Sequence, residues 1–150
     1  MNSQIKTAFL LMIIMQAIHS VEEFIFKLYD VFPPMHFIYR HAPSLAKPAF
    51  VAFNLLLILC GLVCFFYWVR PAREGAKGVI WVWVVIQLAT VAGHVIWVAL
   101  SGGYHPGLAT VGLFIPVVAY VMYAMRRASS RPPPNKSLER TRIQRVFYLL

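Results

Sequence analysis

The stretch TAFLLMIIMQAIHSVEEFIF, from Thr7 to Phe26, has the length of a membrane-crossing helix but ends in ionisable side chains. Its first half is apolar, whereas His19, Glu22 and Glu23 lie close to its end. About 20 apolar residues are needed to cross the hydrocarbon core of a bilayer. Because ionisable groups are costly inside a membrane, their presence there indicates a functional site.

The composition of the whole chain favours a membrane protein. The chain has 150 residues, of which 60% are hydrophobic and 13% are charged, whereas soluble domains are about half apolar and a quarter charged. Three more apolar runs follow the first, at Pro48–Val69, Gly78–Leu100 and Gly107–Met125. Since a helix satisfies its own backbone groups in lipid, we expect an all-α integral membrane four-helix bundle.

Two segments fall outside the predicted spans. Lys27–Lys47 contains three prolines and the sequence MHFIYRH, which predicts a short interfacial segment between the first two spans. After the fourth span the chain becomes basic and proline-rich. We therefore predict a four-span domain over residues 1–126 and a flexible, disordered cytoplasmic tail over residues 127–150.

The positive charges predict the orientation of the spans. The net charge of +9 comes from short clusters beside the apolar runs and from the tail, and Lys6, Arg70, Arg73 and Lys77 fall on one side of the predicted bundle. The positive-inside rule then predicts a multi-pass protein of the cell membrane with both termini cytoplasmic. A nucleic-acid surface needs a basic face with polar surroundings, so the expected partner is the lipid bilayer and no nucleic acid.

Polar residues of three spans are predicted to lie at one depth. His19, Asn54 and His94 each fall roughly 10 Å below the outer boundary of their spans, from the helical rise of 1.5 Å per residue. The loop before the fourth span adds Tyr104 and His105, and that span opens with Thr110. We expect these residues to form an outer-leaflet polar site.

The first span also has the spacing of a metal site. Glu22 and Glu23 follow His19 at i+3 and i+4, so all three lie within one helical turn. With His94 from another helix, His19 and Glu23 would bind zinc, iron or manganese. Glu22 and Glu23 are the candidate catalytic groups, one as a ligand and the other as general base. The structural alternative is a His–Glu ion pair, with Asn54 and His94 as interhelical hydrogen-bonding groups.

Two ordered motifs resemble a known family. The sequence HSVEE matches the signature of the HXXEE-domain family of small membrane proteins. Later residues follow the family's order, namely His94, the YHPG turn (Tyr104, Pro106, Gly107), Thr110 and Pro116. The turn departs from the family's Gly-Thr-Tyr at Gly103, and His105 occupies a variable position. The resemblance covers about residues 8 to 125 and implies site residues, but it implies no activity.

Four functions are compatible with these residues. The first is a membrane-embedded, metal-dependent enzyme of hydrolase type that acts on a lipid or amphipathic substrate. The second is a proton-coupled or small-solute transporter, which would be a homodimer because the chain is too short for paired inverted repeats. The third is a haem protein with His19 and His94 as axial ligands. The fourth is a non-catalytic membrane subunit.

Overall fold

The computed structural model describes residues 1–31, 38 and 40–129, and every element within them is helical. The elements are α1 (Ser3–Ile25), α2 (Leu28–Val31), α3 (Pro43–Cys64), α4 (Ala76–Ser101) and α5 (Leu108–Ser129). A π-helical turn over Phe65–Val69 continues α3 directly. The predicted all-α architecture with four long helices is confirmed, since α1, α3 with its π-turn, α4 and α5 are long and apolar enough to cross a membrane.

The helix ends differ in detail from the predicted spans. α3 begins at Pro43, five residues before the predicted start at Pro48, because proline is tolerated in the first turn, where no backbone N–H is needed. α5 continues through Pro116 to Ser129. The predicted interfacial segment begins with α2, but its residues 32–37 and 39 lie outside the described residues. Residues 130–150 of the predicted tail lie outside them too, so the domain boundary at 126 stays a prediction.

α1 is the central helix of the bundle. Half of its apolar window is buried inside the protein, against 22% of the window of α3. It packs against α5, α3 and the π-turn. Its buried residues Phe9, Met12 and Ile13 form one core with residues of the other helices. Phe9, for example, meets Trp83 of α4 edge to face at 6.2 Å between ring centroids.

α3 approaches the core most closely at Gly61. A Cβ atom at this position would lie 3.1 Å from both Ile13 of α1 and Trp83 of α4. Small residues allow such close backbone approaches between helices in membranes. This contact holds α3 near the middle of the bundle, and beyond it α3 and α4 leave a cavity between them.

The helix termini define two ends of the bundle. The Lys6 Nζ donates a 2.5 Å hydrogen bond to the carbonyl oxygen of Arg70, so the start of α1 and the turn between α3 and α4 lie together. We call the opposite end, where α1 and α4 end and α3 and α5 begin, the site end. α4 ends there at Gly102, whose φ of +68° is the left-handed conformation that glycine adopts at helix C-termini.

Candidate metal centre at the site end

His19, Glu23 and His94 meet at the site end in a buried cluster that we call the His/Glu cluster. The Glu23 Oε1 lies 3.1 Å from the His19 Nε2 and 3.4 Å from the His94 Nε2. The three ligand atoms lie within 4.8 Å of one another, and the group could hold a metal ion. His19, Glu23 and His94 are only 1%, 7% and 9% exposed, respectively.

The hydrogen bonds of the two imidazoles assign their tautomers. The His94 Nδ1 lies 3.0 Å from the carbonyl oxygen of Thr90, which can only accept, so this Nδ1 carries a proton. The His19 Nδ1 lies 2.7 Å from the Thr110 Oγ1, and that hydroxyl donates its own proton to the carbonyl of Gly107 at 3.2 Å. The His19 Nδ1 must therefore donate as well, and in both neutral rings the Nε2 has a lone pair.

The three ligand atoms of the cluster, two Nε2 atoms and one carboxylate oxygen, are therefore all hydrogen-bond acceptors that face one another. Neither Nε2 has a hydrogen bond of acceptable geometry with any described residue, and both lie close to the same carboxylate oxygen of Glu23. Buried acceptors without a donor are costly, so a positive charge between them, either a proton or a metal ion, would stabilise this arrangement. All three ligand atoms lie within 4.8 Å of one another, so a single cation could contact them together.

Glu22 points away from the histidines and binds the start of α5. Its Oε1 accepts from the Tyr104 hydroxyl at 2.7 Å, the Gly107 N–H at 3.1 Å and the Ala109 N–H at 3.3 Å. Its Oε2 accepts from the Thr110 N–H at 2.9 Å. The first N–H groups of a helix have no partner within the helix and favour a negative charge. Glu22 therefore fixes α5 to α1.

Tyr104 completes this contact from the loop between α4 and α5. Its side chain is 56% exposed, and its hydroxyl donates to Glu22. The hydrogen bond and the negative charge of Glu22 favour the neutral phenol, which raises the pKa of Tyr104 to about 12. The phenol therefore stays a donor at every physiological pH.

Gly107 covers the His/Glu cluster with its bare Cα atom. A Cβ at this position would lie 2.5 Å from the His94 Nε2 and 2.8 Å from the Cε1 atom of His19. Its φ is +93°, a conformation that is strained for residues with a side chain. Both the space and the backbone therefore require glycine here.

A chain of hydrogen bonds joins α4, α1 and α3 beside the cluster. The side-chain amide of Gln87 donates to Gln16 at 3.0 Å, Gln16 donates to Ser20 at 3.3 Å, and Ser20 donates to the Asn54 Oδ1 at 2.6 Å. The Asn54 Nδ2 ends the chain by donating to the carbonyl of Phe50 at 3.1 Å. This carbonyl can only accept, so it sets the direction of the whole chain.

A cavity of about 780 Å³ lies next to the cluster. Its polar lining consists of Gln16, His19, Glu23, Asn54, Thr90 and His94. The rest of its wall is formed by apolar residues, mainly of α3 and α4. Ligand sites typically have volumes of about 300–1,000 Å³ with apolar walls and few polar groups, so the cavity has the character of a binding site.

The structure gathers most of the predicted site residues but separates them by role. His19, Glu23 and His94 form the cluster, and Thr110 orients His19. Asn54 shares the cavity with the cluster. Glu22 and Tyr104 instead hold the start of α5.

His105 lies elsewhere, against the last turns of α4. Its ring stacks on Trp97 at 4.4 Å between centroids and contacts the Ser101 hydroxyl. It is not among the described residues that form the cluster, which agrees with its variable position in the motif.

Three residues that contribute to the site were not predicted as site residues from the sequence. The position of Ser20 could have identified it, since it lies four residues after Gln16 and next to His19. Gly107 was predicted only as part of a turn, yet it covers the cluster. Thr90 contributes a backbone carbonyl, which leaves no trace in residue type.

The haem hypothesis does not fit this geometry. The imidazole rings of His19 and His94 are in contact edge to face, with centroids 4.9 Å apart. Axial haem ligands bind from opposite faces of the porphyrin, and no porphyrin plane fits between rings this close.

The fold and the site together define a four-helix protein with membrane-length helices and a buried His/Glu centre. Residues 10–121 match the model of the family described as proteins of unknown function with an HXXEE motif, and the chain belongs to this family. The motif corresponds to His19, Glu22 and Glu23. Comparison with curated proteins and with solved structures finds no match.

Proposed function

We propose that this protein is a membrane-embedded, metal-dependent enzyme of hydrolase type that acts on a lipid or amphipathic substrate. One observation carries the proposal. The lone pairs of His19 Nε2 and His94 Nε2 meet the Glu23 Oε1 at 3.1 and 3.4 Å, without a donor among the described residues, beside a largely apolar cavity. A divalent cation satisfies all three atoms at once.

The four long apolar helices and the positions of the basic residues support a place for the site within the membrane. The basic residues Lys6, Arg70, Arg73 and Lys77 belong to the end opposite the site. In our proposal this end and both termini are cytoplasmic, by the positive-inside rule. The His/Glu cluster then lies in the outer leaflet of the cell membrane.

The donor set limits the candidate metals. Two imidazole nitrogens and one carboxylate oxygen suit zinc, iron or manganese. Catalytic zinc sites combine three protein ligands of this kind with an open fourth position. The Nδ1 atoms are held by Thr110 and the Thr90 carbonyl, as outer-shell partners hold metal-binding histidines in other proteins.

Each residue then has a separate role in the proposed enzyme. A bound divalent cation supplies Lewis acidity and makes water a nucleophile at neutral pH. His19, Glu23 and His94 hold the cation, and Asn54 orients the substrate from the cavity wall. Glu22 is a positioning residue in this proposal, since both its oxygens accept hydrogen bonds from the start of α5.

Elemental analysis of the purified protein tests the metal site. We expect about one divalent ion per chain in the wild type, and its loss in His19→Ala and His94→Ala. His105→Ala is the matched control and should keep the ion, because His105 contacts Trp97 and not the cluster. A wild type without bound ion in any preparation would refute the metal site even if the variants failed to fold.

The enzyme hypothesis needs its own measurement. Protein reconstituted in vesicles of mixed lipids should release a lipid fragment at a rate that falls on chelation and in His94→Ala. If the ion is present but no lipid is consumed, the metal site stands without hydrolase function. A solute flux under the same conditions would instead support the transporter.

A further inference from the structure

We infer that the cavity beside the His/Glu cluster holds a lipid with an acyl chain and an oxygen-bearing head, which reaches it sideways from the bilayer between α3 and α4. This inference rests on the proposed function for the chemistry at the cluster. Its core claim, that a lipid chain occupies the cavity, depends only on the cavity itself.

The rim of the cavity faces the surface that lipid would cover. Phe53 of α3 is 61% exposed, and Ile96 and Leu100 of α4 are 57% and 82% exposed. All three line the cavity. A water-soluble substrate gains nothing from apolar side chains at this position, whereas an acyl chain passes from bilayer to cavity without meeting water.

The length of the cavity wall suits one leaflet. The lining residues of α4 extend from Ile86 to Leu100, which is about 21 Å at 1.5 Å per residue. One leaflet contributes roughly 15 Å of hydrocarbon, half of a core of about 30 Å. The wall can therefore follow an acyl chain through a whole leaflet, with His94 between its two ends.

Asn54 supplies a donor for the lipid head. The hydrogen-bond chain makes its Oδ1 accept from Ser20 and gives one Nδ2 proton to the Phe50 carbonyl. A side-chain amide has two such protons, so one is left for the cavity that Asn54 lines. An ester or hydroxyl oxygen bound there shares the cavity with the His/Glu cluster.

Two substitutions block the cavity without disturbing the core. Gly93 lines the cavity, and a Cβ there would meet nothing within 4 Å. Gly93→Phe therefore places an aromatic ring in the space of the proposed chain, and Ala89→Phe does so one turn away. Gly112→Phe is the matched control, since Gly112 is also in open space but is not among the residues that line the cavity.

The experiment uses phosphatidylcholine vesicles that contain phosphatidylcholine with a photoreactive diazirine in one acyl chain. Phe50 and Asn54 are 5% and 7% exposed, so bulk lipid reaches them poorly, whereas Leu56 is 67% exposed and reports bulk lipid. After irradiation, mass spectrometry should find label at Phe50 and Asn54 in the wild type and in Gly112→Phe. Gly93→Phe and Ala89→Phe should reduce it about tenfold, because the added ring would occupy part of the space that the acyl chain needs. Label at Leu56 should not change.

The lipid inference and the proposed metal site can be refuted separately. Equal label at Phe50 and Asn54 in the wild type and in both blocking variants would overturn the lipid inference, whatever the metal content. Loss of the metal in His94→Ala with label retained at Asn54 would support the lipid site and its independence from the ion. Absence of metal from the wild type with this label intact would refute the metal site alone.

Discussion

Substitution of Gly107 by alanine is the sharpest test of the site geometry. The new methyl group would lie 2.5 Å from the His94 Nε2 and 2.8 Å from the Cε1 atom of His19. Real Cβ atoms almost never lie under 3.0 Å from such neighbours, so one of the rings or the loop must move. The imidazoles cannot move without loss of their hydrogen bonds to Thr110 and Thr90.

Two terms set the size of the effect. A residue with a side chain at positive φ, here +93°, costs about 1–2 kcal/mol, and overfilling a close-packed site costs about 1–3 kcal/mol. Together they lower the free energy of unfolding by about 2–5 kcal/mol. For a chain of this size the melting temperature should fall by roughly 5–15 °C.

Thermal unfolding in detergent, combined with elemental analysis, measures both consequences. We expect Gly107→Ala to melt earlier and to lose most of its metal. Gly112→Ala is the control and should raise the free energy of unfolding. Gly112 lies inside α5 with nothing within 4 Å of the new methyl group, and the substitution gains up to about 1 kcal/mol of helix propensity. A Gly107→Ala protein with the wild-type melting temperature and metal content would refute the described position of Gly107.

Two further substitutions separate the roles of residues around the cluster. Glu22→Gln should lower the free energy of unfolding by about 1.5–3 kcal/mol, since the amide nitrogen cannot accept hydrogen bonds from the N–H groups of α5. The metal content of the folded fraction should stay unchanged. A loss of activity at full thermal stability would instead favour Glu22 as general base. Thr110→Val should weaken metal affinity about 10–100-fold, because outer-shell partners orient their histidine. Thr110→Ser keeps the hydroxyl and should restore the affinity. Equal affinity of the wild type and both variants in metal titrations would contradict the orienting role of Thr110.

Two expectations from the sequence stay predictions. The homodimer belongs to the transporter alternative, and crosslinking in native membranes would detect it. The orientation with both termini cytoplasmic rests on the basic residues at one end of the bundle, such as Arg70 and Arg73. Access of a membrane-impermeant reagent to a cysteine placed at either terminus would test that orientation.

The sequence by itself determined the four long helices and the positions of the site residues along them. Apolar runs of about 20 residues allow few structures in lipid, since a helix alone can satisfy the backbone of one segment. The constant rise of a helix then sets how far His19, Asn54 and His94 lie from the ends of their helices, whatever surrounds them. The HXXEE signature identified the family over residues 10–121. These features are local or depend on regular geometry, so they can be derived without tertiary contacts.

Only the tertiary structure decided what each polar group contacts. Glu22 and Glu23 are neighbours in sequence, but successive residues of a helix point about 100° apart. The rotation of α1 against α5 and α4 therefore sends Glu22 to the backbone of Gly107 and Glu23 to His94. That rotation results from side-chain packing across the whole bundle, which no local pattern records. It separates the two carboxylates of the motif into one that holds the fold together and one that faces the histidines.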